Sequence, residues 1–238
     1  MFDTKIPLYG IAILLSLSAN IIVVVLLYKK FKFTRDQITG ALVYENVGII
    51  SGAKILTFIQ DYRLYGKFDF VSLGLSSYGG VIGAIICLII FGIQFKKPVK
   101  DMLSAFMPSI PLMYAISKIG CFLAGCCHGI EYDGWGSVVY NHSPAAPAHI
   151  RLFPVQLAET ILFAFIFIFI FDKIIKNKFN WQTLGVNFIL CGVGKFILDY
   201  LRVSHLDVII SLNQIISIVF MIIGVLSVIR GKKIQITE

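Results

Sequence analysis

Long apolar runs separated by short polar segments make up most of the chain. Each run is close to the roughly 20 residues that a helix needs to cross the hydrocarbon core of a bilayer. The pattern therefore predicts an all-α polytopic membrane protein with seven transmembrane helices. Pro108 and Pro111 predict a kink in the fourth of them. The predicted helices cover approximately 7–28, 37–59, 71–95, 101–126, 154–172, 181–200 and 208–229.

The composition supports the same class of protein. Of the 238 residues, 58% are hydrophobic and 14% charged, whereas soluble domains carry about 25% charged residues. Seven helices with short connections use nearly the whole length, so we predict a single membrane-embedded domain over 1–238. The first apolar run exceeds the 7–15 residues of a signal-peptide core, and only Lys5 precedes it among basic residues, so we interpret it as an uncleaved span.

Basic residues are concentrated after alternate apolar runs. The positive-inside rule places such clusters in the cytoplasm, which predicts an extracytoplasmic N-terminus and a cytoplasmic C-terminus. The net charge of +8 is then a topology signal, and we expect the partner to be the lipid bilayer and no nucleic acid. The clusters are Lys29, Lys30, Lys32 and Arg35; Lys96, Lys97 and Lys100; Lys173, Lys176 and Lys178; Arg230, Lys232 and Lys233.

Polar residues within the predicted spans gather at their extracytoplasmic ends. Singly, each has a structural interpretation, such as an ion pair between Asp199 and Lys195 or a helix cap by Glu159. A charge in hydrocarbon costs about 2.5–3.5 kcal/mol, however, and usually faces a cavity or a partner. Lysine and arginine exceed the acids here, which suits an anionic lipid headgroup. The candidate residues are Lys54, Tyr78, Gly79, Gly80, Lys118, Cys121, Gly125, Cys126, Gly129, Gln156, Glu159, Lys195, Asp199 and Arg202.

Two local patterns refine this picture. Lys195, Asp199 and Arg202 are spaced i, i+4 and i+7, which predicts that they share one helical face. The glycines at 79, 80, 120, 125 and 129 permit close helix approach and backbone contact with a ligand.

The segment SKIGCFLAGCCHG at 117–129 holds three cysteines and admits three interpretations. A metal site is disfavoured because the spacing is not a standard one and adjacent cysteines do not easily share a tetrahedral centre. A membrane thiol oxidoreductase using Cys121, Cys126 and Cys127 would face an oxidising compartment, yet the chain lacks a Cys-x-x-Cys pair. Packing is the remaining interpretation, and it suits the isolated Cys87 and Cys191 as well. We predict no metal ligand and no cofactor.

Five segments carry a family resemblance in their order along the chain. They are Gly52-Ala53-Lys54, the Tyr78-Gly79-Gly80 segment within 74–83, the cysteine segment 118–129, Phe153-Pro-Val-Gln-Leu-Ala-Glu159, and Lys195-Phe-Ile-Leu-Asp-Tyr-Leu-Arg202. Together they resemble the prolipoprotein diacylglyceryl transferase family. Tyr78 stands where the family has histidine, and Cys121 and Cys126 stand where it has asparagine and glutamate.

The resemblance implies an enzyme of the plasma membrane. It would attach diacylglycerol from phosphatidylglycerol to a thiol of a secreted prolipoprotein, with its active site on the extracytoplasmic side. Lys118 and Arg202 would hold the phosphate, Tyr78 would take the place of the family histidine, and Gln156, Glu159 and Asp199 would orient the cations. The alternative function is an outer-leaflet protein that binds or transports anionic lipid without catalysis.

The predicted orientation is tested by cysteine-accessibility tagging at two loop positions. Lys97→Cys should be labelled from the cytoplasmic side and Asn141→Cys from the extracytoplasmic side, because one follows the third helix and the other lies in the 128–153 loop. Labelling of both positions from one side would contradict the orientation.

Overall fold

The computed structural model describes residues 8–60, 74–143, 145–176, 181–206 and 209–237. It is mostly helical, with a 3-10 turn at Val203–His205 and one short two-stranded sheet. The helices are α1 (Leu8–Lys30), α2 (Arg35–Gln60), α3 (Ser77–Gln94), α4 (Val99–Phe106), α5 (Ser109–Ala124), α6 (Val155–Lys176), α7 (Trp181–Asp199) and α8 (Leu212–Thr237).

Six helical segments among the described residues are long and apolar enough to cross a membrane. They are Leu8–Lys30, Arg35–Gln60, Ser77–Gln94, Val99–Ala124, Trp181–Asp199 and Leu212–Gly231. The protein is therefore a multi-pass, mostly helical membrane protein. The fifth predicted span coincides with α6, a continuous helix of 22 residues, and both the total of seven spans and the orientation stay predictions. The helix starts expected at 7, 71 and 208, and the residues Lys5 and Lys178, lie outside the described residues.

The fourth predicted helix is interrupted at its prolines. α4 ends at Phe106 and α5 begins at Ser109, so the expected kink is a break between two helices. Pro108 cannot donate a backbone hydrogen bond, whereas Pro111 lies in the first turn of α5, where proline is tolerated. The Ser109 hydroxyl donates to the carbonyl of Phe106 at 2.7 Å and closes the break.

The chain divides into two compact units near this break. One unit comprises Met1–Asn20 with Pro111–Glu238, and the other comprises Ile21–Ile110. Each unit is described by itself below, and the single domain over 1–238 stays a prediction.

In the Ile21–Ile110 unit, α2 and α3 pack closely through glycines spaced four residues apart. A Cβ on Gly79 would collide with the Gly52 carbonyl, and a Cβ on Gly83 would collide with the Gly48 carbonyl. Small residues at this spacing let helix backbones approach closely in membrane proteins. The predicted close approach at Gly79 is thus confirmed, and the surface that Gly79 contacts is α2.

In the other unit, α7 packs on α8 by the same device. A Cβ on Gly185 would meet the Gly224 carbonyl. α5 meets α6 through Tyr114, Ala115 and Phe163, which form a buried apolar cluster. Cys191 of α7 packs against this cluster, which brings α5, α6 and α7 together.

The segment between α5 and α6 differs from the all-α expectation. Val138–Val139 (β1) pairs antiparallel with Arg151–Leu152 (β2). The helix predicted to reach 126 ends at Ala124, and Gly125 (φ +72°) and Cys127 (φ +53°) then reverse the chain. Long-range backbone bonds hold the segment, since Ile130 N–H donates to the Leu201 carbonyl at 3.1 Å.

We expect adjacent glycines in α3 to respond oppositely to alanine. Gly79→Ala should lower the free energy of unfolding by about 1–3 kcal/mol, because its methyl group would overlap α2. Gly80→Ala is the matched control, since its nearest contacts are at 3.4 Å or more and alanine is favoured over glycine by about 1 kcal/mol in a helix. Denaturation in detergent measures both variants, and equal losses would contradict the packing account.

Candidate functional site

The centre of the site is the fully buried carboxylate of Glu159, in the second turn of α6. Three cations contact it from different parts of the chain. Lys118 Nζ of α5 lies 3.3 Å from Oε2, Lys195 Nζ of α7 lies 3.6 Å from Oε1, and Arg202 Nη2 lies 2.5 Å from Oε1. The structure thus brings together four of the residues selected from the sequence.

Tyr114 of α5 connects the same groups and was not among the residues selected from the sequence. Its hydroxyl donates to Glu159 Oε1 at 2.5 Å and accepts from Arg202 Nη2 at 3.1 Å and from Lys195 Nζ. The Lys118 and Lys195 ammonium groups lie 5.0 Å and 4.6 Å from its ring centroid. The available signal was its position four residues before Lys118, which places both on one face of α5.

The charge of this cluster is unbalanced. Lys118, Lys195 and Arg202 are all nearly fully buried, and among the described residues the carboxylate within ion-pair distance of all three is that of Glu159. The buried Asp199 also acts electrostatically on Lys195, so these three cations face two carboxylates. Arg202 Nε is also buried and has no hydrogen-bond acceptor among the described residues. A guanidinium N–H without an acceptor, beside surplus positive charge, suits a phosphate or another anion.

Arg202 reaches the cluster from outside the helix. α7 ends at Asp199, and Arg202 has an extended backbone (φ −99°, ψ 143°), so the prediction that it shares a helical face with Lys195 is wrong. Burial alone would lower the pKa of Arg202, but Tyr114 and Glu159 hold it well above the ordinary arginine value. Arg202 therefore remains charged.

Gly129 pairs with Arg202 in an antiparallel bridge. A Cβ at Gly129 would collide with the Phe153 carbonyl and lie 3.0 Å from the Leu201 carbonyl. Only glycine fits between these two backbones. Gly129 thus positions Arg202 through the backbone.

Asp199 and Gln156 make hydrogen bonds between the elements that surround the cluster. Asp199 accepts hydrogen bonds from the Ser211 hydroxyl and from Asn213 Nδ2, the latter at 3.4 Å, at the start of α8. Gln156 Nε2 donates to the Cys126 carbonyl at 3.0 Å. These bonds tie α7 to α8 and α6 to the turn that follows α5.

The thiols of Cys121, Cys126 and Cys127 form a second cluster, with all sulfur atoms within 4.8 Å of one another. Cys121 is buried and Cys127 exposed, and none of the three is in a disulfide. Hydrogen bonds with the Cys121 and Cys126 thiols lower the pKa of Cys127 below its ordinary value. The bonds to Cys121 and Cys127 raise the pKa of Cys126.

The remaining candidates have local roles. Gly125 allows the left-handed turn after α5, where a Cβ would collide with the Ser143 side chain. Gly79 and Gly80 donate their N–H groups to the hydroxyl and carbonyl of Ser76 at 3.5 Å and 3.0 Å, so these donors cap α3. Lys54 and Tyr78 lie with these two glycines in the Ile21–Ile110 unit.

Comparisons with known proteins point to one family. The family model described as prolipoprotein diacylglyceryl transferase matches residues 1–230. A phosphatidylglycerol–prolipoprotein diacylglyceryl transferase of Clostridium tetani is 30% identical, over 94% of this chain and 93% of its own. A phosphatidylglycerol–prolipoprotein diacylglyceryl transferase 2 of Clostridium perfringens is 27% identical, over 98% of this chain and 95% of its own. A phosphatidylglycerol–prolipoprotein diacylglyceryl transferase of Finegoldia magna is 29% identical, over 98% of this chain and 94% of its own.

We expect Tyr114→Phe to lower the free energy of unfolding by about 1–3 kcal/mol, because loss of the hydroxyl leaves buried charged groups with one partner fewer. Tyr132→Phe is the control, since Tyr132 is exposed and surface changes usually stay within about 0.5 kcal/mol. Denaturation in detergent compares the two variants. A similar loss of unfolding free energy in both variants would contradict the stabilising role of the Tyr114 hydroxyl.

Proposed function

The chain belongs to the prolipoprotein diacylglyceryl transferase family, and we propose from this premise that it transfers diacylglycerol from phosphatidylglycerol to a cysteine thiol of a secreted prolipoprotein. Relatives that carry this name align with most of the chain. The observation that carries the proposal is the buried excess of positive charge at Lys118, Lys195 and Arg202, with the open Nε of Arg202.

The reaction needs such a charge excess at one point. The acceptor sulfur forms a bond to the carbon of the diacylglycerol moiety that bears the phosphate, and the thiol proton passes to water. The carbon–oxygen bond to the phosphate breaks, and glycerol phosphate leaves with the electron pair. Cations that already surround the phosphate stabilise the negative charge that grows on it in the transition state.

Within this proposal, Arg202 and Lys118 are catalytic residues because they contact the phosphate. Arg202 offers a planar fork of donors, whereas lysine supplies a point charge. Glu159 and Tyr114 are positioning residues, since they hold the three cations within reach of one another.

The other residues implied by the resemblance complete the proposal. Tyr78 takes the place of the family histidine, and as a phenol it donates a hydrogen bond more readily than it accepts a proton at neutral pH. Lys54, Gly79 and Gly80 are proposed to contact substrate, and so are Cys121 in α5 and Gly125 and Cys126, which follow α5. Asp199 and Gln156 support the cationic cluster.

We place the reaction in the outer leaflet of the plasma membrane, at the extracytoplasmic face. The support is the distribution of basic residues, which places the C-terminal end of α5 and the N-terminal end of α6 on that side. A secreted precursor presents its thiol on the same side.

A protein that only binds or transports anionic lipid would use the same cations. The two functions differ in their products, since a binding protein releases no glycerol phosphate. Phosphatidylglycerol labelled in its terminal glycerol therefore separates the two hypotheses.

The decisive experiment is complementation of a strain depleted of its own transferase, with lipid labelling of a model prolipoprotein. We expect the wild-type chain to restore labelling and Arg202→Ala and Lys118→Ala each to lower the rate about 10²–10³-fold, as loss of one transition-state donor does elsewhere. Arg151→Ala is the matched control, because Arg151 is exposed in β2. Arg202→Lys tests the planar fork of guanidinium donors, since lysine keeps the positive charge but lacks this geometry.

One result would contradict transferase activity, and another would contradict the proposed phosphate site. One is a well-expressed wild-type chain that binds phosphatidylglycerol yet labels no prolipoprotein and releases no glycerol phosphate. The other is full activity of Arg202→Ala, which would show that the phosphate does not bind at the cationic cluster.

A further inference from the structure

The transfer reaction proposed above forms and breaks no bond at the thiols of Cys121, Cys126 and Cys127, although Cys121 and Cys126 are proposed to contact the substrate. We propose that these three thiols form a binding site for a thiophilic d10 metal ion and that it prefers Cu(I) to Zn(II). The proposal concerns a second ligand of the protein and does not depend on transferase activity.

The spacing of the sulfur atoms fits a shared ion. Three sulfurs arranged in a triangle around an ion at about 2.3 Å, the usual zinc–sulfur distance, lie about 4 Å apart. The three sulfur atoms here lie within 4.8 Å of one another. Coordination therefore requires a sulfur movement of about 1 Å or less, which small side-chain rotations supply.

The backbone removes the objection that adjacent cysteines cannot bind one ion. In a helix or a strand the side chains of neighbouring residues diverge. Here α5 has ended, and Gly125 and Cys127 both have positive φ angles. A non-glycine residue in this region is uncommon and costs energy, and such strain concentrates at functional sites.

The turn is fixed by contacts on both sides. Gln156 Nε2 donates to the Cys126 carbonyl at 3.0 Å, and the Ser143 hydroxyl donates to the Ala124 carbonyl at 2.9 Å. The thiols are thus gathered before any ion arrives, as metal affinity requires.

The surrounding charge favours a metal–thiolate complex. Each thiol that coordinates an ion releases one proton, so three thiolates give Cu(I) a net charge of −2 and Zn(II) a net charge of −1. Lys118 precedes Cys121 by three residues, on the same face of α5. Lys118 and Arg202 both act electrostatically on Cys127 and offset this negative charge.

The number of ligands favours copper over zinc. Among the described residues, the cluster of His, Cys, Asp and Glu side chains with metal-ligand spacing consists of these three cysteines. With three protein ligands, Zn(II) needs a water molecule to complete its tetrahedron, whereas Cu(I) is satisfied by three thiolates, which are among the soft ligands that it favours.

The test titrates the full-length chain in detergent, reduced and kept anaerobic, against a chromogenic Cu(I) chelator. We expect one equivalent of Cu(I) to be retained with an ultraviolet thiolate-to-copper band, and Zn(II), measured with a zinc dye, to bind more weakly. Cys127→Ser and Cys126→Ser should each weaken binding at least tenfold, since even outer-shell changes cost about 10–100-fold. Cys87→Ser and Cys191→Ser are the matched controls and should retain wild-type affinity.

Several outcomes would overturn the proposal. They are no retained copper in the wild-type chain, equal loss in the Cys191→Ser control, full binding by the triple serine variant, and a disulfide among the three thiols that persists after mild reduction. Tighter binding of Zn(II) would overturn the preference for copper. Circular dichroism checks folding, and the exposed Cys127 provides a variant that leaves the buried packing intact. No phospholipid or prolipoprotein is present, so failure here leaves the transferase proposal unaffected.

Discussion

A carboxylate without access to water is stable only when positive or hydrogen-bonding groups surround it. Glu159 meets this requirement with Lys118, Lys195, Arg202 and the Tyr114 hydroxyl. Because these partners come from α5, from α7 and from the segment after α7, one buried charge fixes the relative positions of several elements. Removal of Glu159 would leave three buried cations without this counter-charge, so the cluster depends on that one carboxylate.

The sequence predicts the parts of this arrangement that depend on composition and spacing. Apolar runs indicate the helices, and the polar residues at one end of several runs indicate the meeting of Lys118, Glu159 and Lys195, because isolated charges are rare in hydrocarbon. The sequence does not identify Tyr114 as a member of the cluster, since tyrosine is common in apolar helices. Only the position of its hydroxyl among partners from other helices makes it central.

The parts that the sequence does not predict depend on long-range backbone bonds. Arg202 leaves the expected helix because the chain turns after Asp199 and pairs with Gly129. α5 ends at Ala124, two residues earlier than predicted. The hydroxyl of Ser143, nineteen positions further along the chain, donates to the Ala124 carbonyl. Local propensity carries no information about such partners, and helix ends are therefore the least predictable features.

Under the proposed function, the positive charge of this cluster would link the stability of the protein to phosphate binding. Three buried cations around one carboxylate repel one another, and folding must overcome that repulsion. An anion that enters beside Arg202 Nε supplies both the missing charge and the missing acceptor. Under the proposed function, phosphate binding would therefore stabilise the folded protein, because a ligand that binds the folded state shifts the folding equilibrium toward it.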